Sequence, residues 1–103
     1  MSDSAESQLY DAAENGRASE VSSLLRDHPE INVNWTNEYQ WTALHAASYS
    51  SHAHVVKLLL AHARINVNLK TDDGQTLLSK GIDIGKVSIV AVLLKDPRVN
   101  VTG

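Results

Sequence analysis

A chain of 103 residues has room for one domain, and 43% apolar and 20% charged residues with a net charge of -3 are the balance of a globular one. It contains no cysteine, which excludes a disulfide scaffold, a thiolate metal site and a cysteine nucleophile. The acidic balance argues against a nucleic-acid surface, no apolar run approaches a membrane span, and the start Met1-Ser2-Asp3-Ser4 is unlike a signal peptide. A soluble cytoplasmic or nuclear protein is expected.

The predicted elements come in short helical pairs. The first pair is marked by Leu9, Ala12 and Ala13, then by Leu24 and Leu25, with a break at Asn15-Gly16. The second has Leu44 and Ala47, then a wider stripe of Val55, Val56, Leu58, Leu59 and Leu60, with its break at Ser50-Ser51-His52. The third has Leu78, then Ile89, Val90 and Val92 to Leu94, broken at Ile84-Gly85. After the first pair comes Ile31-Asn32-Val33-Asn34, which returns 34 positions later as Ile65-Asn66-Val67-Asn68 and again as Val99-Asn100-Val101-Thr102. His28 is a one-residue insertion, so upstream of it the offset to the second unit is 35. Three units of roughly 1–34, 35–68 and 69–103 therefore fill one domain, 1–103. Helices this short do not persist alone in water, so each unit must stack on the next. The segment before the third pair, Thr71-Asp72-Asp73-Gly74-Gln75, is a strong turn signal.

Thr42-Ala43-Leu44-His45-Ala46-Ala47 is similar to the Thr-Pro-Leu-His-x-Ala signature of the ankyrin repeat, with alanine in place of proline. His52-x-x-Val55-Val56-x-Leu58-Leu59-Leu60 and Asn66-Val67-Asn68 resemble the family's second helix and following loop. The third unit keeps Asp73-Gly74-Gln75-Thr76-Leu77-Leu78 but has Ser79 for the histidine and Gly81 for the first alanine. The first lacks the leading hairpin, as N-terminal capping repeats do. The resemblance implies an all-α ankyrin-repeat solenoid of three helix-turn-helix units with β-hairpin loops. It implies a non-catalytic module that binds a protein partner through a concave surface of hairpin tips and first helices.

Four of the five histidines lie between His45 and His62, which raises the question of a metal. His52 and His54 are two apart and point to different sides of a helix, and no His-x-x-x-His pair with a carboxylate is present. By resemblance, His45 makes a structural hydrogen bond with Thr42; His62, after a helix, is placed to meet terminal carbonyls. Asp72-Asp73 are turn residues in the family, and no nucleophile elbow or phosphate loop occurs. No catalytic, cofactor or metal-ligating residue is assigned. Asn34-Trp35-Thr36 and Asn100-Val101-Thr102 match the glycosylation pattern but are read as accidents of the repeated loop.

Four of the five aromatic residues, Trp35, Tyr39, Trp41 and Tyr49, fall within 15 positions. Trp35 aligns with Leu69 and is either packed beside the loop or part of a surface. Tyr39 and Trp41 align with polar Asp73 and Gln75, and Tyr49 with Glu14 and Asp83, so these three rings are expected to face a partner. By position in the family the binding surface comprises Glu38, Tyr39, Trp41, Tyr49, Asp72, Asp73, Gln75 and Asp83. Lys70 is the lone cation expected there, so the partner is expected to be basic with an apolar feature at its centre. Neither nucleic acid nor a membrane is expected as partner.

The last helix, Val87 to Leu94, is as apolar as an inner one, although terminal units of stacked arrays need a polar outer face. Val87, Val90, Ala91 and Leu94 are therefore a candidate self-association face, the alternative function being a self-assembling structural element; Ser88, Ala91 and Lys95 are what would soften it for a monomer. Finally, Gln40 and Ser51 stand where the family uses glycine, Gln40 aligning with Gly74. A side chain there strains the turn if φ is positive.

Overall fold

The computed structural model describes residues 4–99. Among them there are six helices: α1 (Ala5–Glu14), α2 (Ala18–Asp27), α3 (Ala43–Tyr49), α4 (Ala53–Leu60), α5 (Leu77–Asp83) and α6 (Val87–Leu94). Among the described residues no helix is long and apolar enough to cross a membrane. The repeat Val99-Asn100-Val101-Thr102, with its second glycosylation pattern, lies outside the described residues after Val99.

Each pair begins and turns for the same local reasons. Ser4, Thr42 and Thr76 sit in extended backbone before α1, α3 and α5, and each hydroxyl accepts the N–H three residues on, from Ser7, His45 and Ser79. The turn inside each pair needs a residue at positive φ, supplied by Gly16 (72°), Ser51 (64°) and Gly85 (74°). The second helices start directly after these turns and have no side-chain cap.

Packing follows the period of the sequence. α1, α3 and α5 contact one another in succession, α2, α4 and α6 do the same, and each pair packs internally. The core comes from matched positions: Leu9, Leu44 and Leu78 from the first helices, Leu24, Leu59 and Leu93 from the second, and Ile31, Ile65 and Val99 from the loops. Small residues let the helices approach. At Gly81, where the other units carry Ala12 and Ala47, an added Cβ would lie 3.2 Å from Val90 Cγ2.

The loops after the second helices are tied across units by asparagines. The Asn34 side chain accepts from Asn66 N–H at 2.7 Å and donates to Arg64 O at 2.9 Å; one period later Asn68 donates to Arg98 O at 2.8 Å. Asn32 and Asn66 each accept the N–H two residues on, from Asn34 and Asn68, at 3.0 Å. Asn32 N–H meets a carboxylate where Asn66 N–H meets an asparagine: Glu6 accepts it at 3.0 Å. That bond holds the Glu6 carboxyl below its usual pKa. His62 does not meet the helix-terminal carbonyls: its Nδ1 accepts Arg64 N–H instead. The Arg98 guanidinium takes that role, donating to Leu60 O and His62 O while Asp96 holds it from the other side. A planar multi-donor group reaches two carbonyls that one imidazole cannot.

Candidate functional site

Two short loops of matching backbone geometry precede α3 and α5. In the first, Asn37 N–H donates to Trp41 O and Gln40 N–H to Asn37 O, both at 3.0 Å; in the second, Thr71 N–H donates to Gln75 O and Gly74 N–H to Thr71 O. Of β pairing, the described residues contain one antiparallel bridge, Lys70 to Thr76. Gln40 occupies φ 63° where Gly74 has 79°, so the alignment of these two positions is also a conformational match. Side chains brace each loop. Asn37 Oδ1 accepts from both Tyr39 and Trp41 N–H, and Asp73 accepts from Thr71 Oγ1 and Gln75 N–H. Asp72 N–H donates to Tyr39 O at 3.3 Å, joining the two loop tips.

The rings separate by role. Tyr39, 56% exposed at the first loop tip, is the ring that faces solvent. Trp41 and Tyr49 are half-buried and meet edge-to-face at 4.7 Å, and Tyr49 also borders His45 at 5.9 Å. The Tyr49 hydroxyl is buried, and with the Asp73 carboxylate nearby its pKa is pushed up to about 12, chiefly by burial. Trp35 is half-buried and packs edge-to-face on Tyr10 at 6.1 Å. Tyr10, the one aromatic residue outside the 35–49 cluster, also accepts from Asn37 Nδ2 through its hydroxyl. It stands 29 residues before Tyr39, so its link to that loop comes from α1 stacking on α3, which local spacing does not reveal.

Behind the rings lies a fixed histidine. His45 Nδ1 accepts Thr42 N–H at 3.1 Å while Thr42 Oγ1 accepts His45 N–H at 3.2 Å, a reciprocal cap with histidine in the place usually held by glutamate or glutamine. The ring is 2% exposed, and burial lowers its pKa to about 4. Because Nδ1 is already an acceptor, a second proton would set two donors against each other.

The acidic positions divide in the same way. Glu14, Glu38 and Asp72 are exposed and form no ion pair among the described residues. Asp73 is held by its loop and lies 3.6 Å from Lys80 Nζ, and Asp83 accepts from Gln75 Nε2 at 3.1 Å. Lys70 is therefore not the lone cation of this surface: Lys80 joins it because one turn of α5 separates it from the Thr76 cap beside Asp73. Val87, Val90, Ala91 and Leu94 form no part of this group; they lie on α6, with Val87 76% and Leu94 55% exposed.

No other constellation competes chemically. Among the described residues no three His, Asp or Glu side chains gather as a metal-holding group. A surface cavity of about 460 Å³ is lined by Ser51, Ala53, Gly85, Lys86, Val87, Ser88 and Ile89. Its one close polar pair, Lys86 Nζ to Ser51 Oγ at 2.6 Å, ties the third unit to the turn of the second, much as His52 Nε2 meets Glu14 O at 3.1 Å one unit earlier.

A family model of ankyrin repeats, in three copies, matches residues 9–102. Comparison with curated proteins finds none that matches.

Proposed function

Because the chain belongs to the ankyrin-repeat family, whose members are generally protein–protein interaction modules and generally non-catalytic, we propose that it is a binding module whose recognition surface is centred on Tyr39. In this reading the three units, 1–34, 35–68 and 69–103, form a single solenoid domain with hairpin loops, and the loop tips and first helices line its concave side. Tyr39 is the anchor. Trp41 and Tyr49 support it from behind rather than reaching the partner themselves, and Glu38, Asp72 and Glu14 supply unneutralised negative charge around it. Asp73, Gln75 and Asp83 keep the second loop in shape and present a weaker field, since Lys80 offsets Asp73. The partner is then a protein segment carrying lysine or arginine around one apolar residue. The observation that carries the proposal is a large, rigid ring left exposed on a braced loop, because such rings bury area at low entropic cost.

A display library of random peptides selected on the immobilised chain tests this. Basic peptides with a central apolar residue are expected, and Tyr39→Ala is expected to weaken the winners at least about tenfold without moving the thermal melt. Winners indifferent to both Tyr39→Ala and Glu38→Lys would refute the assignment.

A further inference from the structure

The strongest departure from the repeat lies at the far end of the array. Among the described residues five large apolar side chains are exposed, and all but Tyr39 belong to α5, α6 or the turn between them: Ile82 (62%), Ile84 (44%), Val87 (76%) and Leu94 (55%). The inner units carry small or polar residues at most of these places. Ile82 aligns with Ala13 and Ser48, both buried; Ile84 with Asn15 and Ser50; Val87 with Ala18 and Ala53. Small residues there let the next helix pair close down. Ile82 and Val87 are bulkier than these counterparts and stand out from the face as a ridge. Beside the ridge is a hole of about 200 Å³ lined by Gly81, Ile82, Gly85, Val87 and Val90.

We infer that this face is a twofold contact with a second copy of this chain, the Ile82–Val87 ridge of each copy packing over the Gly81–Val90 hole of the other. A knob and a hole on one face are self-complementary under a twofold axis. The opposite end of the array offers no such match: α1 and α2 expose Gln8, Asp11, Glu20, Arg26 and Asp27, and a head-to-tail contact would bury polar groups against the ridge. Charge agrees with the twofold arrangement, since Asp83 and Lys86 flank the Ile84-Gly85 turn and antiparallel pairing sets each opposite its counterpart's unlike charge. The principal extents are 37, 25 and 22 Å, and a face across the two shorter ones measures 25 by 22 Å. An end of that size offers on the order of 500 Å² per copy, the low end for specific interfaces, so the dimer dissociates in the micromolar range or weaker.

The test is sedimentation equilibrium of the full chain from about 5 µM to about 1 mM. The average mass is expected to rise from 11.2 kDa toward twice that value and no further. Ile82→Ser combined with Val87→Ala, which restores the residues of the second unit, should weaken association at least about tenfold with an unchanged melt. Asp83→Lys and Lys86→Asp should each weaken it, and the two together should restore it. A monomer at every concentration, masses beyond the dimer, or a dimer insensitive to all these changes would overturn the inference. Tyr39→Ala separates the two surfaces: it leaves the dimer intact here, and a dimer lost with Tyr39 would place the contact on the loop face instead.

Discussion

The buried histidine makes the folded state sensitive to mild acid. His45 titrates near 6.5 when exposed and near 4 when folded, so between those values the unfolded chain binds the extra proton and the folded chain does not. Its contribution is fully present above about pH 6.5 and is lost as pH falls toward 4. Between pH 7 and pH 4.5 a shift of this size is worth roughly 2 kcal/mol, a large part of what a domain this small has to spare. His45→Gln isolates it, because glutamine at the third helical position keeps the reciprocal cap with Thr42 but does not titrate. Urea denaturation of both proteins at several pH values is the assay. The wild type should lose about 2 kcal/mol more than the variant over that interval, while His28, His52, His54 and His62 are present in both proteins and cancel. Parallel stability curves would refute the argument and mean that the folded ring takes up its proton almost as readily as the unfolded one.

Backbone strain supplies a second set of expectations. Gln40→Gly should stabilise by about 0.5–1 kcal/mol, the relief of a left-handed residue less the extra freedom of the unfolded glycine. Ser51→Gly should gain less, because it also removes the acceptor of Lys86; a lower melting temperature for Gln40→Gly would contradict the strain. Gly16→Ala should be the most damaging glycine change, since φ is 72° and a Cβ would sit 2.6 Å from His52 Nδ1. Strain plus displacement of the His52–Glu14 contact should cost about 2–3 kcal/mol, against about 1 kcal/mol for Gly74→Ala, where nothing lies within 4 Å and only the backbone objects; equal melting shifts would refute the steric share. Asn34→Ala should cost about 1–2 kcal/mol in chemical denaturation through two lost inter-unit bonds, and no loss would mean that water replaces them freely.

Much of this was legible in the amino-acid sequence because the repeat is written into it. The 34-residue return of Ile-Asn-Val-Asn, the matched leucines and the break residues determine where helices fall, since short helices survive only by stacking equivalent faces on one another. Gln40 and Ser51 were identifiable as strained by alignment with glycine, because φ at a repeated turn is set by the chain path and not by the residue. What the sequence could not decide is what each surface residue meets across units. Tyr10 reaches the first loop and Arg98 rather than His62 caps α4, two pairings that depend on how far one helix pair is rotated and raised against its neighbour; Lys80 beside Asp73 and Glu6 beside Asn32 depend instead on how a loop folds back on a helix of its own unit. The same holds for the rings: their clustering was plain from spacing, but only the packing of α3 against its loop decided that Trp41 and Tyr49 turn toward each other while Tyr39 is left to the solvent.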